Sequence, residues 1–75
     1  MRVKVPKLSE GINEATIIIW HKKIGEHVKK DEDIVEMATD KATFNMPSPK
    51  SGILTKILRE DGRTVKVGEA IAEIQ

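Results

Sequence analysis

Seventy-five residues allow one small domain with a modest core. No cysteine is present, so disulfides and thiolate metal sites are excluded, and the only aromatics are Trp20 and Phe44. Thirteen basic residues against twelve acidic ones leave a net charge of +1, with the two signs interspersed.

The densest basic run, His21-Lys22-Lys23 with Lys29-Lys30, is followed directly by Asp31-Glu32-Asp33, so no one-signed face is visible, and no stacking aromatics are spaced to bind nucleic acid. No run is apolar enough to span a bilayer, and Met1–Pro6 lacks the apolar stretch of a signal peptide. The expectation is a soluble, intracellular chain held together by Ile and Val packing.

In chain order, Val3–Pro6 reads as a first strand and Leu8 to about Ala15 as a loop. Thr16–Lys23 follows as a strand, favoured by the β-branched Ile17, Ile18 and Ile19. Within it Ile17 and Trp20 sit three apart, which a bulge reconciles with a period of two. Trp20 is expected in the core. His21 and His27 have no ligand-spaced partner and read as surface residues, so no metal is expected. Val28–Lys29 and Ile34–Ala38 continue the strands.

Thr39-Asp40-Lys41 then supply turn chemistry, since Asp can bond its own backbone. In the next strand, Ala42–Met46, residues Ala42, Phe44 and Met46 share one face, opposite Thr43 and Asn45. Pro47 and Pro49 stop that strand, because Pro cannot donate to a ladder. Lys41 therefore stands at a hairpin tip, where a lysine is ordinarily just a solvated charge. The last strands are Gly52–Leu58, Val65–Lys66 and Ala70–Ile74. Gly25, Gly52, Gly62 and Gly68 read as turn and packing positions.

The sequence repeats itself. An offset of 37 lays Gly25–Met37 on Gly62–Ile74, and Ile17 and Trp20 on Leu54 and Ile57. The earliest part fits an offset of 41, Val3–Pro6 on Phe44–Pro47 and Gly11-Ile12 on Gly52-Ile53. The difference implies a four-residue insertion near Asn13–Thr16. An amphipathic helix over Lys22–Phe44 is the rival reading. It fails because the matched copy contains Gly62 and Gly68 and alternates like strands. Asp31 replaces Gly68 in the repeat, and Asp tolerates a left-handed turn position. Two similar halves related by an approximate two-fold axis suit an all-β antiparallel sandwich or flattened barrel. On that axis the hairpin tip is the mate of the chain termini, and the two lie at opposite ends.

Val5–Ile12, Trp20–Val28, Glu36–Ala42, Pro47–Gly52 and Gly62–Gly68 together resemble the lipoyl domain of 2-oxo acid dehydrogenase complexes. The most specific element is Thr39-Asp40-Lys41-Ala42 at the junction of the two halves. The resemblance covers essentially the whole chain. It implies two four-stranded sheets and lipoic acid in amide linkage to Lys41. It also implies that Asp40 and Ala42 are read by a lipoate ligase or lipoyl transferase. The loop Leu8, Ser9, Glu10, Gly11, Ile12, Asn13 and Glu14 would help a thiamine-dependent decarboxylase recognise its carrier. The further implied partners are an acyltransferase core and dihydrolipoyl dehydrogenase, in a bacterial cytoplasm or a mitochondrial matrix. The domain would be monomeric when isolated and not catalytic alone.

Two alternatives stay open. A biotin carrier shares this fold but holds its lysine between two methionines, where this chain has Asp40 and Ala42. An unmodified interaction module would lack the lysine in this setting.

Overall fold

The computed structural model describes residues 1–75. The chain forms eight strands: β1 (Arg2–Lys4), β2 (Glu14–Trp20), β3 (His27–Val28), β4 (Asp33–Ala38), β5 (Thr43–Pro47), β6 (Gly52–Ile57), β7 (Thr64–Lys66) and β8 (Ala70–Ile74). They build two four-stranded antiparallel sheets, ordered β1-β8-β6-β3 and β5-β4-β2-β7. Exchanging each strand with the one four places along turns one order into the other. The expected two-fold relation is thus realised in the topology. No helix is long and apolar enough to cross a membrane.

Strand ends differ by a few residues from the alternation-based reading. β2 starts two residues early, because Glu14 and Ala15 pair with Lys66 and Val65. It stops at Trp20, three residues short. There the His21 N–H turns to Ile34 O at 2.8 Å and Lys23–Glu26 closes a turn. Pro47 is the last residue of β5 rather than the residue beyond it.

The repeat needs one correction. Val3 and Lys4 face Ala72 and Ala70 just as Met46 and Pro47 face Val35 and Asp33. Beyond them, the Val5 N–H bonds Glu69 O and the Gly68 N–H bonds Val5 O. Likewise the Ser48 N–H bonds Glu32 O and the Asp31 N–H bonds Ser48 O. Val5-Pro6 therefore matches Ser48-Pro49, an offset of 43 rather than 41. The insertion is six residues, not four, and all of it precedes Glu14. Pro47 and Pro49 lie two apart, so both offsets keep the same strand parity and alternation cannot separate them. The match of Gly11 to Gly52 was coincidence. Gly11 has φ +82° in a loop, whereas Gly52 opens a strand.

The core shows the same symmetry. Twelve of its fourteen buried apolar side chains pair across the halves: Ile17 with Leu54, Val28 with Val65, Ile34 with Ile71, Val35 with Ala72, Met37 with Ile74, Val3 with Met46. Buried Val5 matches buried Ser48, whose hydroxyl donates to Lys50 O at 2.6 Å. Ala15 matches Gly52, where a Cβ would lie 2.5 Å from Gln75 O. The expected bulge is present in both copies, between Ile17 and Ile19 and between Leu54 and Lys56.

Four reverse turns join the short strands. Lys23–Glu26, Lys29–Glu32, Glu60–Arg63 and Lys66–Glu69 each close with an N–H of the fourth residue on the carbonyl of the first. Their third residues, Gly25, Asp31, Gly62 and Gly68, have positive φ, which defines type II turns. Asp31 sits at φ +71°, in the left-handed region expected for it. Gly68 has φ +86° with nothing within 4 Å of a would-be Cβ. Gly68→Ala is therefore expected to cost only backbone strain, about 1–2 kcal/mol. Urea unfolding checks this, and an unchanged midpoint would refute it.

Two turn glutamates fasten these corners. Glu32 accepts the Lys29 N–H at 3.0 Å and pairs with the Lys22 ammonium at 2.9 Å. Its mate Glu69 accepts the Lys66 N–H at 3.0 Å and pairs with Arg59. In both cases the backbone N–H first, then the cationic partner, holds the carboxyl below the ordinary glutamate value of 4.5. A depressed folded-state value stabilises above the unfolded value and is lost as pH falls through the folded one. Thermal stability is therefore expected to decline below pH 4.5. Glu32→Gln and Glu69→Gln should narrow their deficit against the parent as pH drops. A constant deficit across that range would contradict the assignment.

Candidate functional site

The site is the β4–β5 hairpin. β4 is an inner strand, paired with β2 on one side and β5 on the other, and Ile34, Val35 and Met37 anchor it in the core. Ala38 pairs with Thr43, and the Thr39 N–H bonds Ala42 O at 2.8 Å. Asp40 and Lys41 are the two central residues of the turn. Neither has positive φ, so the turn is not one of the primed hairpin types.

The turn is held by the Thr39 hydroxyl. Oγ1 accepts the N–H groups of Lys41 and Ala42, each at 3.3 Å, and donates to Ala42 O at 3.3 Å. Contrary to the expectation for Asp, the Asp40 carboxylate takes no part in these bonds. Threonine hydroxyls form such turns too, so the cue was present and was assigned to the wrong residue.

Lys41 is exposed, as are Asp40 and Ala42. The ion pairs of the domain engage only Lys22 and Arg59 as cations, so the Lys41 ammonium is free. The long loop between β1 and β2, where the six extra residues lie, packs beside the tip. On one side Pro6, Lys7, Leu8, Ser9 and Ile12 form a shallow groove with Thr39, Lys41, Ala42 and Phe44. On the other, Gly11, Ile12, Asn13 and Glu14 form one with Ala38, Thr39 and Asp40. Of the loop residues singled out from sequence, Glu10 alone lines neither groove, and Glu14 is already the first residue of β2. Phe44 was read only as a strand-face residue, yet it lines the tip groove.

β2 starts beside the tip, where Thr16 pairs with Ala38. β6 starts beside the carboxyl terminus, where Ile53 exchanges two 2.9 Å hydrogen bonds with Gln75. The far ends of the two strands meet where Trp20 Nε1–H donates to Arg59 O at 2.8 Å. Tip and termini therefore close opposite ends of a domain 33 Å long. Trp20 is half-buried and packs on the core, and no three metal-ligating side chains cluster.

A flattened two-sheet domain whose hairpin tip, flanked by a long loop, presents an exposed, unpaired primary amine has the form of a cofactor-carrier domain. The Lys41 side chain is exposed and unpaired, and its flanking residues Asp40 and Ala42 are exposed as well.

The comparisons make the class specific. The biotinyl/lipoyl family model, described as "Biotin-requiring enzyme", matches residues 1–74. The dihydrolipoyllysine-residue succinyltransferase component of the 2-oxoglutarate dehydrogenase complex of Cupriavidus necator is 49% identical over 96% of this chain. The acetyltransferase component of the pyruvate dehydrogenase complex of Mycobacterium bovis is 44% identical over 96% of it. This chain spans only 17% and 13% of those two proteins. The solution structure of the lipoyl domain of the Azotobacter vinelandii 2-oxoglutarate dehydrogenase complex superposes with a TM-score of 0.79 at 36% identity, over 100% of this chain and 95% of that one. The chain belongs to the biotinyl/lipoyl family, as a lipoyl domain of the type found in 2-oxo acid dehydrogenase acyltransferases.

Proposed function

We propose that Lys41 carries lipoic acid and that the domain presents this arm to successive active sites of a 2-oxo acid dehydrogenase complex. The observation that supports it most is the free Lys41 amine on a turn locked at the end of an inner strand. For attachment, the Lys41 ammonium gives up one proton to become the neutral amine, Nζ bonds the carboxyl carbon of an activated lipoyl donor, the donor's leaving group departs with its bonding electron pair, and Nζ releases a second proton to leave the neutral amide. Asp40 and Ala42 flank the amine where a lipoate ligase or lipoyl transferase reads it. When bound, the lipoyl group supplies an S–S bond that can be opened, acylated on sulfur and re-formed.

The protein's part is presentation. The loop Leu8–Glu14 beside the tip offers a thiamine-dependent decarboxylase a surface that the symmetry-related end lacks. The acyltransferase core and dihydrolipoyl dehydrogenase are the other stations, in a bacterial cytoplasm or a mitochondrial matrix. A tethered carrier meets each of them at an effective concentration on the order of millimolar. Biotin is the lesser reading, because Asp40 and Ala42 stand where a biotin carrier has methionines.

The test is intact mass with peptide mapping after incubation with a lipoate ligase, lipoate and ATP, beside a biotin ligase reaction. One lipoyl adduct on Lys41 is expected. A biotin adduct, or none from either enzyme, would overturn the proposal.

A further inference from the structure

We infer that Thr39 is a positioning residue for modification of Lys41: its hydroxyl holds the turn that aims the amine at the modifying enzyme. The inference rests on Lys41 being the acylated residue. Thr39 is half-buried, whereas the next three residues are exposed. Its Oγ1 is the one side-chain atom that bonds the turn. It takes the N–H groups of Lys41 and Ala42 and returns its own proton to Ala42 O. All three bonds fall on the backbone of Lys41 and its neighbour Ala42, so they fix the direction in which the lysine stem leaves. Thr39 also borders both grooves that separate the tip from the loop. A rotation of the turn would swing Lys41 towards one groove or the other. Without the hydroxyl, a single backbone bond from Thr39 N–H to Ala42 O closes the turn.

The consequence is enzymatic. A lipoate ligase must place Nζ in line with the acyl carbon, and misplacement of a reacting group is expensive in rate. A small soluble acylating reagent makes no such demand, because it meets Nζ from any direction. The two kinds of acylation should therefore respond differently to Thr39.

Thr39→Val keeps the β-branched shape and removes the hydroxyl. With the full domain, a lipoate ligase and ATP, kcat/KM at Lys41 should fall roughly three- to tenfold, the worth of an ordinary net hydrogen bond. Thr39→Ser should restore it. Acetylation of Lys41 by an N-hydroxysuccinimide ester, read by peptide mapping, should proceed at the parent rate in all three proteins. Amide exchange at Lys41 and Ala42 should quicken in Thr39→Val while the core amides keep their protection.

Parent-like ligase kinetics in Thr39→Val would overturn the inference. So would a loss of ligase activity with unchanged exchange at Lys41 and Ala42, because Thr39 would then be a contact of the enzyme. If the parent domain itself takes no lipoyl group, the modification reading fails instead, and the two failures are told apart.

Discussion

Lys41→Arg is expected to abolish lipoylation and to leave the fold intact. The side chain is exposed and forms no ion pair, so its replacement falls among surface changes worth less than about 0.5 kcal/mol. The turn itself is closed by the backbone of Thr39 and Ala42 and by the Thr39 hydroxyl, none of which is altered. A guanidinium stays protonated throughout the working pH range and offers no free lone pair for acyl transfer. Charge is kept, so any loss is chemical and not electrostatic. The measurement is paired: intact mass after the ligase reaction, and the thermal midpoint by circular dichroism. No adduct at an unchanged midpoint is the expected result. An adduct of parental mass would move the site to another lysine, with Lys7 first in line because it borders the same groove. A collapsed midpoint would mean that the lysine stem packs in a way its exposure denies.

The two grooves give this prediction its setting. The symmetric fold has two equivalent ends, yet one holds a closed hairpin and the other the first and last residues of the sequence. The loop insertion falls at the hairpin end and is what builds both grooves. A two-fold scaffold is thus made directional by the loop and the turn.

Much of this was legible in the residues, for a physical reason. Inward positions recur every second residue, and the second copy confirmed each strand against the first. Ile17 and Leu54 could be matched, and the bulge after each inferred, because a three-residue step cannot fit a pleat without one extra residue. Asp31 could be placed in a left-handed turn because its mate is Gly68. The offset of the first strand was misjudged because strand patterning is blind to shifts of two. Only the ladder between β1 and β8 distinguishes Pro47 from Pro49 as a partner. At the hairpin, the place of Lys41 in the turn was legible, whereas the hydrogen bonds of the Thr39 side chain and the position of Phe44 in the groove were not. Both depend on where a hydroxyl and a ring point, and period-two patterning carries no such information.

The largest loss of stability is expected from the core, and its symmetry makes the loss testable as a pair. Leu54 and Ile17 are both 0% exposed and sit at equivalent bulges in β6 and β2. Truncating either to alanine removes three methyl or methylene groups from a close-packed interior. It should cost about 2–5 kcal/mol. A domain of this size holds only about 4–11 kcal/mol in all, at 0.05–0.15 kcal/mol per residue. Leu54→Ala and Ile17→Ala should each lower the thermal midpoint by roughly 10–25 °C. If the halves fold as one unit, the two deficits should agree within about 1 kcal/mol in urea titrations, with a common m-value. A much smaller loss for one member would show that its sheet is held by other contacts. Modification separates the roles further. Well below its midpoint, Leu54→Ala should accept the lipoyl group at the parent rate, since Leu54 lies in the sheet that does not bear the tip. Ile17 lies next to the tip: it pairs with Met37, two residues before Thr39. A slower reaction confined to Ile17→Ala would show that the packing beneath β4 helps to hold Lys41 in position.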